Sequence, residues 1–209
     1  NVGVIGCGGM GKDHIKRLTE KIQGAQVVAV SDVFEEGAKE AAKIAGGAKV
    51  YTDGKDLIND PDVDAVFIVS PGFAHTESLQ AIEAGKRVFC EKPLATTADD
   101  CKKIVEAEVA SGKHLIQLGF MRRYDKGYVQ VKEALKSGEY GEPLILHCTH
   151  RNPEVGTNYN TPMAVHDTAI HEIDTLHWLV DDEYESAQQR KEKSVRQNKK
   201  ESRGRRNDN

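Results

Sequence analysis

Cysteine is scarce and scattered in this chain of 209 residues: Cys7, Cys90, Cys101 and Cys148 are the four present, and no two form a C-x-x-C pair. That spacing indicates neither a disulfide framework nor a zinc site, and it fits a reduced, cytoplasmic setting. There is no apolar stretch of about 18 residues to span a bilayer, and no charged start followed by an apolar run to act as a signal peptide. A soluble protein without a membrane partner is expected. Metal-ligand spacing is also lacking among the eight histidines. His171-Glu172 is followed by His177, which is too far on for H-E-x-x-H, and His147 and His150 have no matching acid pattern nearby, so no metal is expected.

Hydrophobic residues are nearly absent from 188–209, where Val195 stands alone and no aromatic occurs. This segment holds nine Lys and Arg against three acids, a net +6, which leaves −10 of the chain's −4 total for residues 1–187. Such a composition buries too little apolar surface to offset its ordering entropy, so the segment is expected to be disordered or out of frame. A basic arm can bind nucleic acid nonspecifically. Without aromatics to stack on bases, and with Glu192, Glu201 and Asp208 interrupting it, no specific nucleic-acid partner is expected.

What the chain does have is the order strand, glycine turn, helix. Val2-Gly3-Val4-Ile5 runs into Gly6-Cys7-Gly8-Gly9-Met10-Gly11, with Ile15, Leu18 and Ile22 at helical spacing behind it. Gly6 permits the tight turn, Gly8 lets the backbone approach a pyrophosphate, and Gly11 allows close helix packing at a helix N-terminus suited to anions. A second strand at 27–30 ends in Ser31-Asp32, putting a carboxylate about 20 residues beyond the glycines, as dinucleotide binding requires. Asp32 would accept from the ribose hydroxyls and repel a 2′-phosphate. With Val33 and Phe34 next and no adjacent cation, NAD is favoured over NADP; capping a nearby helix is the alternative role for Asp32, and its conjunction with the glycines favours the ribose.

Alternation continues with an apolar strand at 64–69, a helix at about 75–84 stopped by Gly85, a strand at 87–90, a helix ending near Gly112 and a strand at 115–118. This predicts an α/β fold, a doubly wound parallel (Rossmann) sheet over residues 1–120. Its ligand crevice lies beyond the carboxyl ends of the strands, where Ser70, Pro71, His75 and Glu91 to Pro93 stand. His75 could equally just begin its helix. Further on, 144–149 reads as the first strand of a second domain, and 164–180 reads as one helix. Val165, Ala169, Ile173, Leu176 and Val180 form an apolar stripe there, with Asp167, His171 and Asp174 opposite. Asp167 and His171, four apart, can pair, the carboxylate orienting the imidazole and favouring its protonated form. On the residues alone this is a solvated polar face.

Cys90-Glu91-Lys92-Pro93-Leu94-Ala95 carries a resemblance. With this element the chain resembles the glucose-fructose oxidoreductase, inositol dehydrogenase and rhizopine-catabolism family, whose signature is Glu-Lys-Pro. In that family the lysine lies beside the nicotinamide and the substrate hydroxyl, and the proline commonly follows a cis peptide bond. Residues 119–128, His150-Arg151-Asn152-Pro153 and 163–174 are similar to its inositol-oxidising members, and the likeness runs almost unbroken to Ala187. The resemblance implies NAD-dependent oxidation of myo-inositol to the 2-keto inosose, in inositol catabolism, by a homotetramer acting on a small polyol.

It also implies the site residues: Lys92, Asp167 and His171 as the catalytic group, and Gly6, Gly8, Met10, Gly11, Asp32, Ser70, Pro71, His75, Glu91, Lys92 and Met121 around the cofactor. Arg122, His150 and Asn152 would join the catalytic three in binding substrate. Imidazole is a suitable base near neutrality, so His171 would take the hydroxyl proton while Lys92 stabilises the developing oxyanion. Residues 121–187 are then the start of an α+β open-sheet domain, truncated, and the amino end is clipped, since Asn1 is not a start methionine. Two alternatives stand beside this reading: a noncatalytic NAD-binding remnant, and a related dehydrogenase for another inositol isomer or a sugar.

Overall fold

The computed structural model describes residues 1–72, 77–155, 157 and 159–188. His75 and nearly all of the basic segment 188–209 therefore lie outside the described residues. Six parallel strands form one sheet: β1 (Val2–Ile5), β2 (Val27–Ser31), β3 (Lys49–Tyr51), β4 (Ala65–Ile68), β5 (Arg87–Cys90) and β6 (Ile116–Leu118). Their order, β3-β2-β1-β4-β5-β6, reverses between β1 and β4. That reversal opens a crevice beyond the strand ends at which dinucleotides bind in doubly wound folds.

Helices cover both faces. On one, α1 (Gly9–Glu20) and α2 (Glu35–Ile44) bury Ile15, Leu18, Ala38, Ala41 and Ala42 against Val2, Val4, Val27 and Val30. On the other, α3 (Gly54–Asn59) and α4 (Glu77–Glu83) bring Leu57, Ile58 and Ala81 onto Ile5, Ala29, Val66, Ile68 and Val88. Ile15, Leu57 and Ile58 are almost wholly buried, each worth about 1.5–3 kcal/mol of transfer free energy. Because both faces are covered, the central strands read as unbroken apolar runs rather than as alternating ones.

α5 (Ala98–Ser111) starts at Thr97, whose hydroxyl accepts from the Asp100 amide at 3.1 Å, and stops at Gly112 in the left-handed conformation, φ 66°. Glu108 in its last turn accepts from the amides of Leu115 and Ile116, both at 2.7 Å, and so steers the chain into β6. After a 3₁₀ turn (Met121–Tyr124), α6 (Lys126–Ser137) is capped by Asp125.

Two expectations for the later residues are corrected. Residues 144–149 are not a strand: none of the described residues forms a ladder with them, and Leu144 and Ile145 are 92% and 88% exposed. A strand exists only where its backbone groups find partners. The expected single helix at 164–180 is two pieces, a π-helical stretch (Ala164–Ala169) and α8 (Ile170–Val180), preceded by a short turn α7 (Thr161–Met163). Its buried face carries His171, Thr175 and Leu179, whereas Val165 and Ile173 of the apolar stripe are exposed. The polar face turns inward because charged partners wait for it: Arg123 makes a two-pronged contact with Asp174, with 2.6 Å as its shortest distance, and Lys132 caps the end of α8 at the Trp178 and Leu179 carbonyls.

Candidate active site

The glycine turn is held by its neighbours. Gly6 sits at φ 93°, and a Cβ there would lie 2.4 Å from the Ser70 amide nitrogen; on Gly11 it would come within 1.9 Å of the Gly6 carbonyl oxygen. At Gly8, by contrast, a Cβ would meet no protein atom within 4 Å. Gly8 is the N-cap of α1 and offers no side chain to the first amides of that helix, whose first turn holds no acid. Asp32 follows β2 directly; its carboxylate accepts from the amides of Cys7 at 2.7 Å and Phe34 at 2.9 Å. It thus ties the glycine turn to the start of α2, and each of its oxygens retains capacity to accept again. A cleft of about 180 Å³ is lined by Gly6, Asp32, Thr52, Ser70, Pro71 and Glu77, among others. Met10 and Met121 are both more than half exposed.

Burial pushes the Glu77 carboxyl above its ordinary range, although the Ser70 hydroxyl donates to it at 3.2 Å. The two buried cysteines are inert: burial, with Asp32 adding to it, raises the Cys7 thiol to about 12, and burial does the same to Cys90.

β5 ends in Cys90 and leads into the Glu-Lys-Pro element, where the Lys92–Pro93 peptide is cis, as the resemblance implies. Gly72 packs so closely on Pro93 that a Cβ would lie 2.9 Å from Pro93 Cγ, which seats the Ser70-Pro71-Gly72 loop against this element. From here Lys92 reaches the π-helical stretch. Its ammonium donates to Asp167 Oδ1 at 2.7 Å and to the Asp167 carbonyl at 3.0 Å. The Asp167 carboxylate therefore meets Lys92, and the pairing with His171 expected from their spacing does not form among the described residues. The wide π turn around Asp167 is the reason, since the i,i+4 neighbourhood holds only for α-helical winding.

His171 is 8% exposed. Burial, followed by the nearby charges of Lys92 and Arg122, lowers its pKa below the ordinary 6.5, so its neutral form is favoured rather than the protonated one. Arg122 donates to Glu172 Oε1 at 2.6 Å, and the His150 ring reaches the same carboxylate at 3.3 Å. The other His150 nitrogen lies 3.1 Å from Asn152 Oδ1, and the ring centre is 6.5 Å from that of His171. Although burial opposes it, Arg122 and His150 hold the Glu172 carboxyl below its usual range. Lys92, Asp167, His171, Arg122, His150 and Asn152 thus stand in one polar cluster.

Two family models match the chain, one described as an oxidoreductase family with an NAD-binding Rossmann fold over residues 1–120, the other as the GFO/IDH/MocA C-terminal domain over 128–205. The chain belongs to the GFO/IDH/MocA oxidoreductase family. It is 57% identical over 189 residues to inositol 2-dehydrogenase of Pseudomonas syringae pv. syringae, a match covering 90% of this chain and 56% of that protein. With the inositol 2-dehydrogenase/D-chiro-inositol 3-dehydrogenase of Shouchella clausii the identity is 58% over 186 residues, 88% of this chain and 54% of the relative. Among solved structures, myo-inositol dehydrogenase from Lactobacillus casei, in complex with NAD(H) and myo-inositol, superposes with a TM-score of 0.84 at 52% identity, covering 88% of this chain and 55% of that one. The chain thus spans a little over half the length of these relatives.

The residues of this family member fit the cofactor in three respects: an uncapped helix N-terminus at Gly8, open space where a larger residue there would project, and the Asp32 carboxylate at the end of β2. Sequence reasoning overlooked two side chains of the site region. Glu172 joins Arg122 to His150, and an acid next to His171 with an Arg and a His elsewhere was the available sign. His14 of α1 bonds Glu91 at 2.8 Å, and its position three residues after Gly11 carried no chemical hint.

Proposed function

We propose that this chain is the cofactor-binding and catalytic part of an NAD-dependent inositol 2-dehydrogenase, oxidising a ring hydroxyl of myo-inositol to the 2-keto inosose in inositol catabolism. The observation that carries the reading is the Lys92 ammonium on Asp167, beyond the end of β5, in one cluster with buried His171. Bound NAD supplies the acceptor for the hydride leaving the carbinol carbon. The chain's own residues manage the proton and the charge. Buried and facing two cations, His171 is available to take the hydroxyl proton at its imidazole. Lys92 spends two N–H groups on Asp167 and keeps a third to donate to the substrate oxygen as charge develops there. Asp167 fixes where that ammonium points. Arg122, His150 and Asn152, braced by Glu172, are suited to hydrogen-bond further ring hydroxyls.

We divide the protein into a cofactor domain, 1–120, the start of a substrate and assembly domain, 121–187, and the basic segment 188–209. We place it in the cytoplasm, a reading supported by four cysteines without a disulfide and by the lack, among the described residues, of any helix long and apolar enough to cross a membrane. We take its assembly to be a homotetramer, as the family resemblance implies. The test is NADH formation from NAD and myo-inositol by the purified chain. Activity that Lys92→Ala lowers by at least about a hundredfold supports the proposal. NADH binding without turnover of any inositol would favour a noncatalytic remnant instead.

A further inference from the structure

Glu91 precedes the lysine on which the proposed chemistry depends, and its carboxylate is spoken for. One oxygen, Oε1, lies 2.8 Å from His14 Nε2; the other, Oε2, accepts from the Lys92 amide at 3.3 Å. Both side chains are about four-fifths buried, at 18% and 19% exposure. The Glu91 amide is itself fixed to the Ile68 carbonyl at 2.9 Å, and a Cβ on Gly119 would come within 3.3 Å of Glu91 Cδ, so little room surrounds this side chain.

His14 is held just as firmly. Its ring meets Phe67 and Phe89 edge to face, with centres 5.8 and 5.4 Å away, and those two rings stack on each other at 4.7 Å. Phe67 belongs to β4 and Phe89 to β5, while His14 stands on α1, the helix that opens at the glycine turn. A single imidazole thus joins the helix that opens at the glycine turn to the segment bearing Lys92. A histidine present only to fill space would not need the acid, and an acid present only to bind a ligand would not need the histidine.

We propose that His14 is a positioning residue: through its hydrogen bond to Glu91 it sets the backbone of Lys92 and hence the place of the ammonium against Asp167. The kinetic part of the test rests on the dehydrogenase reading above; the spectroscopic part does not. Two substitutions separate the hydrogen bond from the packing. His14→Phe keeps a ring over Phe67 and Phe89 and loses the bond, whereas His14→Gln keeps an N–H donor for Glu91 and loses the ring.

Lysine-selective ¹³C,¹⁵N labelling of the full chain makes the lysine side chains visible by NMR, and the Lys92 signal is the one missing from Lys92→Arg. His14→Phe should displace that signal and His14→Gln should return it near its parental position. In turnover, His14→Phe should lower kcat by on the order of tenfold to a hundredfold with KM for NAD little changed, since a misplaced group costs rate rather than cofactor affinity. His14→Gln should recover most of that loss. Glu91→Ala removes the acceptor instead of the donor and should displace the Lys92 signal as well, which keeps the test decisive if His14→Phe fails to fold. An unmoved Lys92 signal in His14→Phe or Glu91→Ala overturns the proposal, as does a displaced signal in His14→Gln. If the parent chain turns over no inositol, the dehydrogenase reading fails by itself and the NMR result still decides the role of His14.

Discussion

His171 holds its proton less readily than an ordinary histidine because burial and the cations of Lys92 and Arg122 all disfavour a second positive charge. The acid limb of the kcat/KM profile for inositol oxidation should therefore turn over below pH 6.5, and an NMR titration of the His171 ring should give the same midpoint; a midpoint above 6.5 would contradict the assignment of the base. The same shift affects stability with a definite sign. As pH falls through 6.5 the unfolded chain takes up this proton first, so the fold loses stability there. Asp60 behaves in the opposite way. The Asp62 amide and then the Lys49 ammonium hold its carboxyl at about 2, against an ordinary 3.8. Its contribution is complete above 3.8 and is lost as pH falls toward 2. Thermal melts should show Asp60→Asn below the parent at neutral pH, with the gap closing between about pH 4 and 2. Neither shift was legible in the sequence, because the burial of His171 and the approach of the Asp62 amide and Lys49 to Asp60 arise only on folding.

The glycine turn and α1 were readable because their constraints are local: Gly6, Gly8 and Gly11 act through the backbone of one strand-turn-helix unit. Gly11→Ala would push a Cβ into the Gly6 carbonyl, a backbone atom that cannot step aside. It should cost about 1–3 kcal/mol in thermal unfolding and weaken NADH binding in a fluorescence titration; a stable variant with parental affinity would show that the helix is free to shift. β1, β4 and β5 were legible for the same reason, their apolar runs being the mark of a sheet covered on both faces. The polar face of 164–180 was misread because periodicity alone cannot say that Lys92, 75 residues from Asp167, and Arg123, 51 residues from Asp174, will be present to receive it. Residues 144–149 show the converse, an apolar run whose sequence favours a strand but which has no ladder partner among the described residues.

At the scale of the whole molecule, Tyr140, Leu144 and Ile145 leave apolar surface in water, each more than three-quarters exposed. Side chains so placed are suited to self-association. Light scattering over a range of concentrations should show oligomers that Leu144→Asp with Ile145→Asp weakens; a double variant that assembles like the parent would mean that the contacts lie elsewhere. Family membership was legible from Glu-Lys-Pro and the three later stretches, and the resemblance also grouped residues 92, 122, 150, 167 and 171; the pairing of Lys92, rather than His171, with Asp167 was not legible, since it depends on how the chain turns toward the sheet. The wide turn at Ala164–Ala169 makes this cluster sensitive to the number of residues as well as to their identity. Loss of one codon between Asp167 and His171 would leave an ordinary helix and every named catalytic side chain intact. It would also replace the wide turn that now presents Asp167 to Lys92, so an in-frame deletion could silence the site while the encoded residues still looked complete.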